Sequence, residues 1–240
     1  VRTVSPVTMP GAVPPPRRGL PRAVDAAVAG LGLLISLPLL AVAAAAVALS
    51  SPGPIVFRQS RIGRGGRPFR LLKLRTMRAA DGPAVTGGDD PRITAVGRFL
   101  RRSKLDEIPG LWNVVRGDMA LVGPRPEVAR FVDPGDPLWA EVLTVRPGMT
   151  DPAVVAFRHE EELLSRLGGD REVTYNQRVL PIKLGLSRDY LRGRTWHSDL
   201  AVLWRTALCL FVRPPRLPKN LTDPGVGGEN PPSFPTGPSS

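Results

Sequence analysis

Cysteine is almost missing from this sequence. Cys209 stands alone, which excludes an internal disulfide or a cysteine-rich metal site and leaves no argument for an oxidising compartment. Histidine is nearly as scarce: His159 and His197 lie 38 positions apart with no second ligand at metal spacing, so they read as surface or core side chains rather than zinc ligands. Two tyrosines and scattered phenylalanines offer little for stacking on nucleobases. No Gly-Lys-Ser or Gly-Lys-Thr accompanies Gly63, Gly65 and Gly66, so they do not form a P-loop. Acidic residues are also in deficit, 21 against 33 lysines and arginines. The resulting charge of +12 suits an anionic partner, whether nucleic acid, lipid headgroups or a phosphate-bearing substrate.

What is present is enough for one folded domain: 240 residues, 42% of them apolar. Residues 1–21 carry Pro6, Pro10, Pro14, Pro15 and Pro16 and the basic Arg17 and Arg18, with little periodicity, and are expected to be a disordered lead-in. Residues 213–240, rich in Pro, Gly and Ser, are expected to be a disordered tail. Between them lie an apolar segment, 22–50, and a domain, 51–212.

From Ala23 to Leu49 the only charge is Asp25, and the run is long enough for a membrane helix. A signal peptide fits Arg17 and Arg18 ahead of an apolar run and the triplet Ala46-Val47-Ala48, but the run exceeds an h-region of roughly 7 to 15 residues and Pro38 interrupts it. A plain span fits the length. The flanking charge does not: Arg17, Arg18 and Arg22 precede the segment and Arg58, Arg61, Arg64, Arg67 and Arg70 come after it, so both ends favour the cytoplasm. Pro38 disfavours helix at Leu37 and predicts two pieces of about 12 to 15 residues, each short of a hydrocarbon core about 30 Å thick. The Ser36 hydroxyl can satisfy a carbonyl freed there. A re-entrant helix–break–helix at Ser36 and Pro38 and a kinked span both fit these residues.

Ser51-Pro52-Gly53-Pro54 reads as a turn, followed by a hairpin of Ile55–Gln59 and Phe69–Leu74 around the three glycines. Lys73 and Arg75, two apart, are expected on one strand face, as a phosphate clamp or a solvated basic edge. Asp81 to Arg92 reads as loop. Ala95 to Arg102 sets Val96, Phe99 and Leu100 against Arg98, Arg101 and Arg102, an amphipathic helix suited to a core edge or a membrane interface.

The chemistry concentrates in Ser103-Lys104-Leu105-Asp106-Glu107-Ile108-Pro109. Ser103 with Asp106 three residues on resembles a capping box, and its plain reading is a helix start. Pro109 belongs in an early turn, which predicts Asp106 and Glu107 at the positive end of a helix beside arginines. Those charges favour an ionised, low-pKa Asp106 and attract a diphosphate. A carboxylate attacks phosphorus only when the phosphate charge is neutralised, work suited to arginines and a hard divalent cation such as Mg2+. Glu107 is the candidate metal ligand and Asp106 the candidate nucleophile. In Gly123-Pro124-Arg125-Pro126 two prolines stiffen a loop around one arginine suited to grip a phosphate.

Here the residues carry a resemblance. Ser51-Pro52-Gly53-Pro54, Lys73-Leu74-Arg75-Thr76-Met77, Arg92-Ile93-Thr94, Gly97-Arg98-Phe99-Leu100-Arg101, Leu105-Asp106-Glu107-Ile108-Pro109, Trp112-Asn113-Val114, Arg116-Gly117-Asp118-Met119, Val122 to Glu127 and Arg146 to Thr150 resemble the bacterial sugar transferase family. These are monotopic phosphoglycosyl transferases that begin glycan assembly on polyprenyl phosphate, and the likeness covers roughly residues 22 to 212. It implies transfer of a sugar 1-phosphate from a nucleotide sugar, usually UDP-linked, to polyprenyl (undecaprenyl) phosphate with release of UMP. It implies a covalent phospho-sugar on Asp106, magnesium on Glu107, donor phosphates near Arg101 and Arg125, and a basic active-site role for Lys73. A re-entrant helix broken near a Ser-Pro pair is implied as well, although this chain reads Ser36-Leu37-Pro38. The expected setting is the bacterial inner (cytoplasmic) membrane, with the catalytic domain on the cytoplasmic face and downstream glycosyltransferases as possible partners.

The chain departs from many members after Thr150, where Asp151-Pro152-Ala153-Val154 replaces Gly-Trp-Ala-Gln and the sugar identity loses its guide. Larger relatives carry four additional N-terminal membrane helices, and the sequence is expected to be a minimal catalytic form without them. Phe157 to Leu167 reads as an acidic helix and Val179 to Tyr190 as another, in which Asp189 either orients a metal site or pairs with an arginine. Leu200, Leu203, Trp204, Ala207, Leu208 and Phe211 form a helical stripe for core or interfacial packing.

The predicted fold is α+β and mostly helical: a monotopic membrane protein with a re-entrant helix, a small cytosolic catalytic domain holding a short β-hairpin, and interfacial amphipathic helices. Two rival functions remain at this level. One is a non-catalytic basic adaptor on anionic lipid, which keeps working with asparagine at position 106. The other is a nucleic-acid binder using the Arg58 to Arg78 strip, with steeply salt-dependent binding; the poverty of aromatics speaks against it.

Overall fold

The computed structural model describes residues 5–8, 19–78 and 87–211. Of the expected lead-in, residues 5–8 lie along the hairpin loop, where the Val7 amide donates to the Gly66 carbonyl at 2.9 Å. The rest of that lead-in to residue 18, residues 79–86 with the first part of the expected loop, and the tail from 212 lie outside the described residues.

Helix α1, Arg22–Ser50, is one element of 29 residues. The expectation that Pro38 splits it is not met, since helix continues through the proline. Pro38 withholds the N–H that would reach the Leu34 carbonyl, a single lost bond in a run rich in helix-favouring Ala and Leu. Ser36 Oγ donates to the Leu33 carbonyl at 2.9 Å one position away. Near its start α1 buries Ala29 against Val114, Met119 and Leu121, and near its end Ala43 and Val47 against Leu74 and Leu100. No residue from Gly30 to Val42 is buried, and Leu34, Ile35 and Val42 are 63%, 70% and 69% exposed. The helix is long and apolar enough to cross a membrane.

Both ends of α1 are tied to the folded domain by polar contacts. At the start, Arg22 Nη2 donates to the Val115 carbonyl at 2.6 Å and the Leu121 amide donates to Asp25 Oδ1 at 3.3 Å. At the end, Arg75 donates to the carbonyls of Val47, Ser51 and Pro54 at 3.3, 2.5 and 2.5 Å. The last carbonyls of a helix lack partners of their own, and a guanidinium there complements the negative end of the dipole.

Strands β1, Val56–Ile62, and β2, Pro68–Leu74, pair antiparallel with Phe57 opposite Lys73. Helix α2, Ala95–Ser103, starts at Thr94, whose hydroxyl accepts the Gly97 amide at 2.9 Å. Gly97 is obligatory in this packing, because a Cβ there would lie 1.9 Å from the Thr76 carbonyl oxygen. Helix α3, Gly110–Arg116, comes next, then strand β3, Ala120–Val122, and helix α4, Pro137–Val142. Strand β4, Gly148–Thr150, pairs parallel with β3. The expected acidic helix is α6, Glu160–Leu167, and a short helix that was not expected, α5, Pro152–Ala156, precedes it. Asp151 accepts the Val154 amide at 2.7 Å and Pro152 opens the first turn, a cap and N1 proline that start α5. Helix α7, Arg171–Thr174, runs through a π-turn, Tyr175–Val179, into α8, Leu180–Arg192, and α9 is Trp196–Phe211.

One apolar cluster joins Ile62, Phe131 and Trp139 to Leu163, Leu164, Val179 and Leu184 beneath α4, α6 and α8. On α9, Val202 is buried while Leu200, Trp204 and Leu208 face outward, as do Trp112 on α3 and Phe99 on α2. Of the expected α9 stripe, Leu200, Trp204 and Leu208 are turned to the surface, while Leu203 packs against the cluster of Val114, Met119 and Leu121.

Candidate active site

The acidic pair does not open a helix. Ser103 is the last residue of α2, and its hydroxyl donates back to the Phe99 and Leu100 carbonyls instead of capping the next turn. The chain reverses at Lys104, whose φ of 59° is left-handed and which terminates α2. Leu105–Glu107 is a single 3₁₀ turn between α2 and α3. That reversal swings Asp106 into the protein, where it is 7% exposed.

Two elements converge on Glu107. Strand β2 brings Lys73, with Nζ 2.9 Å from Oε1, and the loop after β3 brings Arg125, with Nη2 2.6 Å from the same oxygen and Nη1 3.4 Å from Oε2. These groups line a small cleft with Leu72, Pro126 and Met149. Burial alone would raise the Glu107 pKa, but Arg125 and Lys73 outweigh it and hold the carboxyl well below the usual range. Asp106 behaves oppositely. Burial and then the Glu107 charge push it up, against the weaker pull of Lys73, Lys104 and Arg101. The expectation of a low-pKa Asp106 is therefore corrected, because desolvation of an inward-facing carboxylate exceeds the attraction of cations bonded elsewhere. Asp106 Oδ1 is buried and accepts no hydrogen bond.

Of the other predicted site residues, Arg75 is not brought to the cleft. It lies past the end of β2, and its guanidinium is occupied by the carbonyls closing α1, so Lys73 and Arg75 do not form one clamp. Arg101 acts on Asp106 through space but is ion-paired with Glu161 of α6. Asp189 is paired with Arg188 at 2.8 Å. Ser36 and Pro38 lie mid-way along α1, away from the acidic pair's contacts.

Asn113, present in the sequence only as part of the motif Trp112-Asn113-Val114, has a positioning role in the fold. Its side chain accepts the Leu72 amide at 3.0 Å and donates to the Arg70 carbonyl at 2.8 Å, stitching α3 to the outer edge of β2. It fixes the spacing between the turn that holds Asp106 and Glu107 and the strand that holds Lys73. A lone polar residue among the apolar Leu111, Trp112, Val114 and Val115 was its signal in the sequence.

Among the described residues no group of three or more His, Cys, Asp and Glu gathers into a metal cage. The donor set fits a cation that takes few protein ligands: two adjacent carboxylates, one of them ionised and the other with an unengaged buried oxygen.

A sequence profile described as bacterial sugar transferase matches residues 17–213. The chain belongs to the bacterial sugar transferase family. This transferase is 40% identical over 198 residues to the UDP-glucose:undecaprenyl-phosphate glucose-1-phosphate transferase of Caulobacter vibrioides, covering 80% of this chain and 69% of the relative. It is 44% identical over 115 residues to a putative undecaprenyl-phosphate N-acetylgalactosaminyl 1-phosphate transferase of Bacillus subtilis, covering 47% and 64% respectively. An Escherichia coli protein with the same name as the Caulobacter one is 40% identical over 202 residues, 81% of this transferase and 41% of that protein. The family chain thus spans about two thirds of the first two relatives and less than half of the third.

Proposed function

We propose that this chain moves a sugar 1-phosphate from a UDP-sugar to undecaprenyl phosphate and releases UMP, starting a surface glycan. Family membership and the names of the relatives support the reaction class. The observation that carries the mechanism is the buried, unbonded Asp106 Oδ1 beside a Glu107 held by Lys73 and Arg125. In this reading Asp106 attacks the phosphorus next to the sugar, the bond to the bridging oxygen breaks, and UMP departs with those electrons. The lipid phosphate oxygen then attacks the same phosphorus and returns Asp106 as a free carboxylate. Lys73 and Arg125 bind the donor diphosphate, and the low exposure of Asp106 keeps water from hydrolysing the intermediate. Glu107 would hold a magnesium ion, which when bound supplies further neutralisation of phosphate charge.

The membrane reading is a re-entrant α1 that enters and leaves on the cytoplasmic side of the inner membrane. Fastening of both ends to one domain, with the unburied stretch Gly30–Val42 between them, supports it. A straight helix of this length would extend about 43 Å, and Pro38 supplies a place to bend. The exposed Trp112, Trp204 and Phe99 suit an interfacial seat.

Incubation with a panel of UDP-sugars and magnesium, without lipid acceptor, is expected to add the mass of one phospho-sugar at Asp106 and release UMP, and chelation to abolish both. An adaptor without catalysis would give neither. Topology is tested in a Cys209→Ser background with single cysteines at either flank of α1. Labelling of both from the cytoplasm is expected, and labelling of residues 10–20 from the periplasm would rule out the hairpin.

A further inference from the structure

A second buried cluster of charge lies beside Arg125. The Glu127 carboxylate, 6% exposed as a residue, accepts the Tyr175 hydroxyl at 2.5 Å on Oε1 and Arg61 Nη1 at 3.1 Å on Oε2. Lys183 Nζ is 3.7 Å from the same Oε1, 2.9 Å from the Tyr175 oxygen and 2.7 Å from Glu160 Oε2. Tyr175 and Lys183 come from the π-turn and α8, far along the chain from the acidic pair. Pro124 and Pro126 have no N–H, so the loop between them is tied by its carbonyls: Gly148 N reaches Pro124 O at 2.9 Å and Arg61 Nη1 reaches Pro126 O at 3.0 Å. The direction of Arg125 therefore depends on what holds Pro126 and Glu127.

We propose that Tyr175 and Lys183 are positioning residues that, through Glu127 and Arg61, aim Arg125 at the diphosphate of the donor. Stability alone does not account for the cluster, because buried ion networks are commonly matched by apolar residues of equal volume. What a network of directional bonds adds is orientation, and a misaimed guanidinium loses its paired grip on phosphate. The inference rests on the phosphoglycosyl transferase reading.

The test is a double-mutant cycle on the full chain in lipid nanodiscs, reading the Kd for UDP and the donor KM and kcat. Tyr175→Phe removes one hydroxyl and keeps the ring that packs 5.3 Å from Phe131. It is expected to raise the UDP Kd and the donor KM about tenfold, the scale of one hydrogen bond to a charged group, with kcat changed less. Lys183→Met should act in the same direction and Lys183→Arg should restore part of the loss. In an Arg125→Ala background the Tyr175→Phe effect should shrink to under about twofold. Equal losses in both backgrounds, or unchanged Kd and KM in a normally melting Tyr175→Phe protein, overturn the inference. If a variant melts early, the comparison passes to Glu127→Gln in the same two backgrounds with the same criterion. Wild-type protein that neither binds UDP nor turns over overturns the functional reading instead, and the positioning role with it.

Discussion

Asp106 and Glu107 are neighbours in the chain with opposite electrostatic fates. Glu107 accepts Lys73 at 2.9 Å and Arg125 at 2.6 Å and is held ionised, while Asp106 Oδ1 is buried without a donor and its pKa is raised. A nucleophile benefits from this arrangement, because a carboxylate with unengaged lone pairs is the more reactive one once donor phosphates have been neutralised.

Replacement of Asp106 by asparagine should leave the fold intact and end phospho-sugar trapping. Turnover is expected to fall by roughly 10³-fold or more, measured by UMP release, with no mass adduct. Full turnover in that variant would move the nucleophile elsewhere.

The raised pKa of Asp106 sets an acid limb. Attack needs the ionised form, so the rate of adduct formation should fall on acidification at a higher pH than for an ordinary aspartate, and gain nothing from the same group above it. Glu107→Gln removes the neighbouring negative charge and should lower that midpoint even as the maximal rate drops. A pH series of single-turnover adduct formation reads both.

Lys73 and Arg75 should separate cleanly. Lys73→Ala and Arg125→Ala are expected to raise donor KM about tenfold or more, on the order of one charge-assisted contact. Arg75→Ala removes bonds to three carbonyls at the end of α1 and should cost about 3 kcal/mol of stability, with donor KM within about twofold of wild type. Melting curves in detergent alongside steady-state kinetics distinguish the two classes.

Asn113→Ala leaves the Leu72 amide and Arg70 carbonyl without their side-chain partner. A loss of about 2 kcal/mol is expected, together with a lower kcat, since the acidic turn and β2 are no longer held in register. Asn113→Asp should not rescue, because it lacks the donor that Arg70 requires.

Local pattern alone was enough to determine the hairpin, the amphipathic α2, the apolar α1 and the candidacy of Asp106, Glu107, Lys73 and Arg125. Each is written in neighbours a few positions apart: two short runs either side of Gly63, Gly65 and Gly66 in the hairpin, helical spacing in α2, unbroken apolar length in α1, and adjacent carboxylates among cations. The tertiary structure decided the rest. It turned Ser103 from a cap into a helix end, buried Asp106 and so reversed its expected pKa, drew Arg75 to the end of α1, and set Tyr175 and Lys183 beside Glu127. Those outcomes depend on desolvation and on contacts between distant segments, and neither quantity exists until the chain has folded.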